Sequence, residues 1–285
     1  MPAPIRLAFS PDSDDIFMFL PLLTGSVDPD GLTFEAERAD TERLNAHAAA
    51  GDLDVVAVSI AAWPGLAHLY QLLPHGMSVG RGYGPVVISV RPRDTASLRG
   101  ARVGVPGMRT TACLVARLLL PEFDAVVVPI TPYTLVFESL RAGEVDAAVL
   151  IHEGRLVYER EGFSRVCDLG AAWASATAGL PLPLGGNAIR RSLGPDLVAR
   201  VSRVCRASIA WALAHREETM SALLERESRA GLALDRATLD RYLAMYANAD
   251  TLDAPDDVRR AIAELYARAH AAGLAGAAPA VDFAP

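Results

Sequence analysis

His152 follows an uncharged run, Ala147 to Ile151, in a segment patterned as a buried strand. An imidazole takes and returns a proton near neutral pH, so one delivered by a strand end into a cleft is a candidate acid–base group. Glu153 is a carboxylate that could set the ring's tautomer or charge, although successive strand residues point to opposite faces. His47, His68, His75, His215 and His270 lack such a setting and read as structural hydrogen-bonders. A second feature is Gly107-Met108-Arg109-Thr110-Thr111, between the strand-like Arg102–Val105 and the helical Ala112–Leu120. Hydroxyls and free backbone N–H groups meet there at a helix start, which suits an anion. Plain N-capping by Thr110 accounts for the same residues equally well. The third feature, Ser10-Pro11-Asp12-Ser13-Asp14-Asp15, joins the first strand to a helix. Capping explains one or two of these groups, whereas clustered carboxylates repel an anion and suit hydroxyls or a cation.

These residues need a scaffold, and the pattern supplies one of α/β class. Short β-branched runs alternate with longer helical stretches, the arrangement of a parallel sheet covered by helices. Strands are predicted at Ile5–Phe9, Asp54–Ser59, Pro85–Val90, Arg102–Val105, Ala125–Pro129 and Asp146–Ile151. Beyond Leu193 the spacing turns helical, over Val198–His215, Glu217–Glu225, Arg236–Tyr246 and Pro255–Ala271. The phrase Ala50-Gly51-Asp52-Leu53-Asp54-Val55-Val56-Ala57-Val58-Ser59 recurs as Ala142-Gly143-Glu144-Val145-Asp146-Ala147-Ala148-Val149-Leu150-Ile151, which implies two similar lobes. In each copy a glycine suited to a left-handed C-cap ends a helix, and an acidic position leads into a buried strand. Ligands bind outside the carboxyl ends of such strands, so Ser59-Ile60 and Ile151-His152-Glu153 mark the expected cleft. Val90–Leu98 is expected to cross between lobes and Pro181–Gly186 to return. The large lobe then comprises residues 1–92 and 184–285, with 93–183 inserted as the small lobe.

Composition removes other classes of function. A chain of 285 residues, 51% of them hydrophobic, exceeds one small domain. Its net charge of −7 is scattered, with no basic stripe for a nucleic acid. Cys113, Cys167 and Cys205 sit singly, so neither a disulfide framework nor a metal site is expected, and reducing cytoplasm fits best. No apolar run reaches the ~20 residues of a spanning helix, and Met1 to Leu7 carries no export-signal pattern. Gly80-Arg81-Gly82-Tyr83-Gly84 lacks the strand-loop-helix context of a phosphate cradle and reads as a turn, and Ala271–Pro285 as a frayed end.

Ile151-His152-Glu153-Gly154-Arg155, then Asp168-Leu169-Gly170, then Gly179-Leu180-Pro181-Leu182-Pro183-Leu184-Gly185, resembles the 1,4-dihydroxy-6-naphthoate synthase family of menaquinone biosynthesis. Asp40-Thr41-Glu42-Arg43-Leu44-Asn45, Val58-Ser59, Gly84-Pro85, Val105-Pro106-Gly107, Thr110-Thr111-Ala112 and Tyr246-Ala247-Asn248 extend the likeness over almost the whole chain. The resemblance implies a type II periplasmic-binding-protein-like fold, two lobes around a ligand cleft, without export. It implies a lyase of the futalosine pathway acting on cyclic dehypoxanthine futalosine, a small-molecule substrate, with no cofactor. His152 would be the general base, and Ser10, Asp15, Asn45, Ser59, Thr110, Thr111, Ile151, Leu182 and Pro183 would surround the substrate. One stretch departs from the family: its usual Ser-Pro-Cys-Pro-Asn-Asp-Thr-Phe is here Ser10-Pro11-Asp12-Ser13-Asp14-Asp15-Ile16-Phe17, which puts the substrate's identity in question. A solute-binding protein of the same fold and the sister enzyme chorismate dehydratase are the alternatives.

Overall fold

The repeated phrase folds the same way twice. In the computed structural model, which describes residues 3–226 and 234–285, Gly51 and Gly143 follow helices Thr41–Ala50 and Thr134–Arg141 with φ of +74° and +69°. Met1 and Pro2, the start of the segment read for an export signal, lie outside the described residues. The acidic position then does one job in both copies. Asp54 accepts from the backbone N–H of Arg6 at 2.9 Å, and Asp146 from that of Arg102 at 2.9 Å. Each carboxylate thereby fixes the start of the strand beside its own.

The strands are β1 (Ile5–Phe9), β2 (Phe34–Arg38), β3 (Val55–Ser59), β4 (Tyr70–Leu72), β5 (Ser78–Gly80), β6 (Val86–Ser89), β7 (Arg102–Val105), β8 (Asp124–Val127), β9 (Ala147–Leu150), β10 (Ser164–Asp168) and β11 (Leu182–Arg190). One sheet runs β2-β1-β3-β11-β4 with β5 also on β11; the other runs β10-β6-β9-β7-β8. Helices Pro195–Ala214, Arg216–Arg226 and Arg236–Tyr246 pack with helix Ser13–Leu23 behind the first sheet. The two sheets form the two lobes.

Several expectations need correction. Neither sheet is purely parallel: β11 runs antiparallel to β3, β4 and β5, and β6 antiparallel to β9 and β10. The first change of sheet falls between Gly80 and Val86, not at Val90–Leu98 after residue 92, because β6 already pairs with β9. The chain returns just before Leu182, so most of Pro181–Gly186 is strand; the register shift between Pro183 and Gly185 accommodates the proline. Glycines at the first crossing permit contact of two backbones, since a Cβ on Gly170 would stand 2.0 Å from the Tyr83 carbonyl. The tail is not frayed at its end. Asp282 and Ala284 exchange backbone bonds with Leu72 of β4, and Arg191 holds the Asp282 carboxylate at 2.6 Å.

The twin aspartates differ in burial, and a stability difference follows. The Asp54 side chain is 7% exposed and also holds Arg190, whereas that of Asp146 is 37% exposed. Asp54→Ala takes a buried carboxylate away from the Arg6 N–H and from the half-buried Arg190 guanidinium, which keeps the Gly51 carbonyl, and should cost about 3 kcal/mol. Asp146→Ala should cost about 1 kcal/mol, a backbone hydrogen bond and a screened ion pair. Urea unfolding of both variants checks this; equal losses would contradict it.

Candidate active site

The carboxyl ends of β1, β3, β7 and β9 meet in one cleft of about 740 Å³, partly open to solvent. Ser10 follows β1, Ser59 ends β3, Thr110 and Thr111 open the helix after β7, and Ile151-His152 follow β9; all line the cleft. Asp15 lines it as well. Asn45, Leu182 and Pro183 are not among the lining residues. Asn45 stands behind Ser59, accepting from its N–H at 2.9 Å and donating Nδ2 to its hydroxyl at 3.0 Å. Since that hydroxyl accepts from Asn45, its own proton is left for a ligand. Pleating places the wall one to three residues past Leu182-Pro183, at Leu184, Gly185 and Gly186.

His152 takes a φ of +52°, the left-handed region a side chain rarely occupies. The contacts that hold it there come from the opposite lobe. Its Nδ1 lies 2.7 Å from the Asp12 carboxylate, and its Nε2 lies 3.3 Å from the Thr41 hydroxyl at the cleft wall. Glu153 points away from the ring, as the alternation of successive residues suggested: its carboxylate accepts from the Ser13 N–H at 2.9 Å and from the Ser13 hydroxyl. Asp12 also accepts from the Ser10 hydroxyl. Burial disfavours a charged ring, but the Asp12 carboxylate, with Asp14 and Glu153 adding to it, outweighs the burial, and the His152 pKa is pushed up to about 9.

Two other carboxyls of the loop are shifted toward their neutral forms. Burial, and then the charge of Asp12, raises the Asp14 pKa although Ser78 and Tyr242 both donate to it, at 2.7 and 2.9 Å. Asp15 is pushed well above the usual carboxylate range by burial and by Asp14, although the Ser10 N–H donates to it at 2.7 Å. Ligating atoms of Asp12, Asp14 and His152 lie within 4.8 Å of one another. Asp12 is already bonded to the imidazole and Ser10, and both Asp14 oxygens accept protein protons. Nothing in this donor set requires a cation.

The helix start reads both ways at once. Thr110 is the N-cap, accepting from Cys113 N–H at 3.2 Å and donating to the Gly107 carbonyl at 2.7 Å. Thr111 donates to the Leu184 carbonyl at 2.6 Å and accepts from Ala61 N–H at 3.0 Å. Their hydroxyl protons are thus committed within the protein, unlike the expected ligand donors. What the wall offers an anion is the backbone N–H of Thr111 and of Ala112, which have no partner inside the helix.

Residues not singled out beforehand also line the cleft, notably Thr41, Ser78, Tyr242 and Tyr246. Tyr242 and Tyr246 sit four apart on one helix, a spacing that also describes plain core. Thr41 was legible only as part of the Asp40–Asn45 phrase. Among the described residues, no helix is long and apolar enough to cross a membrane.

Comparison with known proteins agrees with this layout. Residues 5–271 match the family model described as menaquinone biosynthesis. A 1,4-dihydroxy-6-naphthoate synthase of Thermus thermophilus is 38% identical over 96% of this chain and 97% of its own; one of Streptomyces coelicolor is 36% identical over 95% and 94%. A crystal structure of an Archaeoglobus fulgidus protein superposes with a TM-score of 0.88 at 38% identity, covering 95% of this chain and 98% of that one. The alkanesulfonate-binding protein of Xanthomonas axonopodis pv. citri superposes with a TM-score of 0.68 at 15% identity, covering 99% and 96%, and shares the fold. With its two lobes, its cleft at the strand ends and a match over nearly its full length, the chain belongs to the menaquinone biosynthesis family.

Proposed function

We propose that the protein is a carbon–carbon lyase that converts cyclic dehypoxanthine futalosine to 1,4-dihydroxy-6-naphthoate, the product for which its two relatives are named. The observation that carries this reading is His152. Among the described residues it is the one nitrogen base lining the cleft, where no arginine or lysine stands. With Nδ1 turned to Asp12, Nε2 is the nitrogen available to a substrate proton. A carbonyl polarised by Ser59 lowers the pKa of an adjacent C–H, His152 accepts that proton, and loss of the ribose-derived portion leaves the aromatic product. The substrate's carboxylate is directed away from the acidic loop, toward the Thr111 and Ala112 N–H groups. The three free cysteines fit a reducing cytoplasm.

A solute-binding protein is the second reading, favoured by the shared fold alone. Incubation with cyclic dehypoxanthine futalosine, following the naphthoate by absorbance and mass, separates the two; binding without turnover would move the protein to the second class. His152→Asn should cut kcat by ~10²–10⁴ and leave affinity within a few-fold, the usual signature of a lost general base. Ser59→Ala should raise the substrate Kd by about tenfold, one buried hydrogen bond to a ligand oxygen. The pH profile has a stated direction. Because the base must be unprotonated and its pKa stands at about 9, kcat/KM should rise through neutral pH and level off above about 9. A plateau already reached at pH 7 would contradict that.

A further inference from the structure

We propose that Asp12 and Ser13 form a positioning pair for His152, Asp12 orienting the imidazole through Nδ1 and Ser13 fixing the turn that carries it through Glu153. The inference rests on His152 being the base. Both contacts run between lobes, from the loop after β1 to the turn after β9, and they engage consecutive residues of that turn. The Asp12 side chain is 7% exposed, so its charge is little screened by water. Its Nδ1 bond leaves one ring orientation, with Nε2 at the cleft wall beside Thr41. A left-handed backbone at His152 persists only where its surroundings over-determine it, and the Ser13–Glu153 bonds on the next residue supply that restraint.

The departure from the family frame includes these two positions, beside Asp14 and Ile16. A cysteine at position 12 is a weak hydrogen-bond partner with no charge to offer when protonated. A proline at position 13 has neither N–H nor hydroxyl to give Glu153. Replacing both together therefore creates two bonds to adjacent residues that the usual frame cannot make. Among the described residues, Thr41 is the only other side chain bonded to the ring, and it is neutral. The charged and titratable groups facing His152 are Asp12 and Asp14 from the loop and first helix, Glu153 from its own turn, Asp15 behind Asp14, and Tyr242 from helix Arg236–Tyr246. Of these charged and titratable groups, Asp12 is the one bonded to the ring.

The test is an NMR pH titration of the histidine ring nitrogens in the full-length protein, with His152→Asn used to assign the signal, alongside pH–rate profiles. In Asp12→Asn the His152 pKa should fall from about 9 toward the ordinary ~6.5, and the proton should cease to favour Nδ1. The rising limb of kcat/KM should move down with it, and kcat should fall by about 10- to 100-fold with KM within a few-fold. Asp12→Glu should recover part of the basicity. Asp12→Cys serves in the same role if Asp12→Asn does not fold. Ser13→Pro should lower kcat more than Ser13→Ala, which keeps the N–H. An unchanged titration and tautomer in the Asp12 variants would overturn the pairing, and so would lower stability with an unmoved pH profile. If the native protein does not turn over the substrate, the functional reading fails, yet the titration still decides whether Asp12 governs the ring.

Discussion

One imidazole among buried carboxyl groups sets the terms for the seam between the two sheets. Asp12, Asp14 and Glu153 all lie close enough to raise the basicity of His152, and among the described residues no arginine or lysine lines the cleft to share the neutralisation. The acids are therefore partitioned by their surroundings. Asp12 is matched by the ring, Asp14 by two hydroxyl donors, and Glu153 by Ser13, while Asp15 is driven toward its neutral form. The linkage has one sign throughout. A raised histidine pKa stabilises the folded state fully below about 6.5, and that contribution is lost as pH rises through about 9. Acids with raised pKa values add a cost that grows as pH rises above their unfolded value. The folded arrangement of these residues is thus favoured on the acid side of the range over which the ring gives up its proton.

The fold makes this crowding possible by bringing four strand ends to one point. Asp54 and Asp146 anchor equivalent strand starts in the two sheets, so β1 with β3, and β7 with β9, are held in equivalent registers. Everything functional then hangs on the opposite ends of those strands. The antiparallel β11 passes beside Ser59 and contributes backbone, not side chains, to the wall at Gly185 and Gly186. Thr111 ties the helix of one lobe to Leu184 of the other, so its hydroxyl serves the seam, while the Thr110 hydroxyl caps the helix.

Much of this was legible in the residues. The repeated phrase identified both lobes and both cleft-facing strand ends, because a glycine C-cap followed by an acidic lead-in is a local rule that the chain obeys twice. Thr110 was legible as a cap for the same reason. The edge strands β2 and β10 were not, since Phe34-Glu35-Ala36-Glu37-Arg38 and Ser164-Arg165-Val166-Cys167-Asp168 are largely solvated and carry no apolar run. Strand β11 was hidden by its proline and glycines, which read as a loop until the bulge that accommodates them is seen. The tail has no amphipathic period; it is held by backbone bonds to Leu72 and by one carboxylate, and neither leaves a trace in sequence. Asp12 was visible as a charge but not as the partner of His152, because a contact between residues 140 apart depends on how the lobes meet.

The pairing of Asp12 with His152 does not follow from a need for base strength alone. With a pKa of about 9, only about one ring in a hundred is unprotonated at pH 7. Each further step in basicity removes a tenfold share of the free base, whereas the gain in proton-transfer rate along a Brønsted line is less than tenfold. On strength alone a ring near its ordinary pKa would serve better at neutral pH. With His152 as the proposed base, what the carboxylate adds is orientation and custody of the proton: Nδ1 is fixed, Nε2 is left for the substrate, and an imidazolium formed by proton abstraction would be stabilised where it stands. A reaction whose proton must be taken at one carbon and given back at another atom gains from a group that holds it in between.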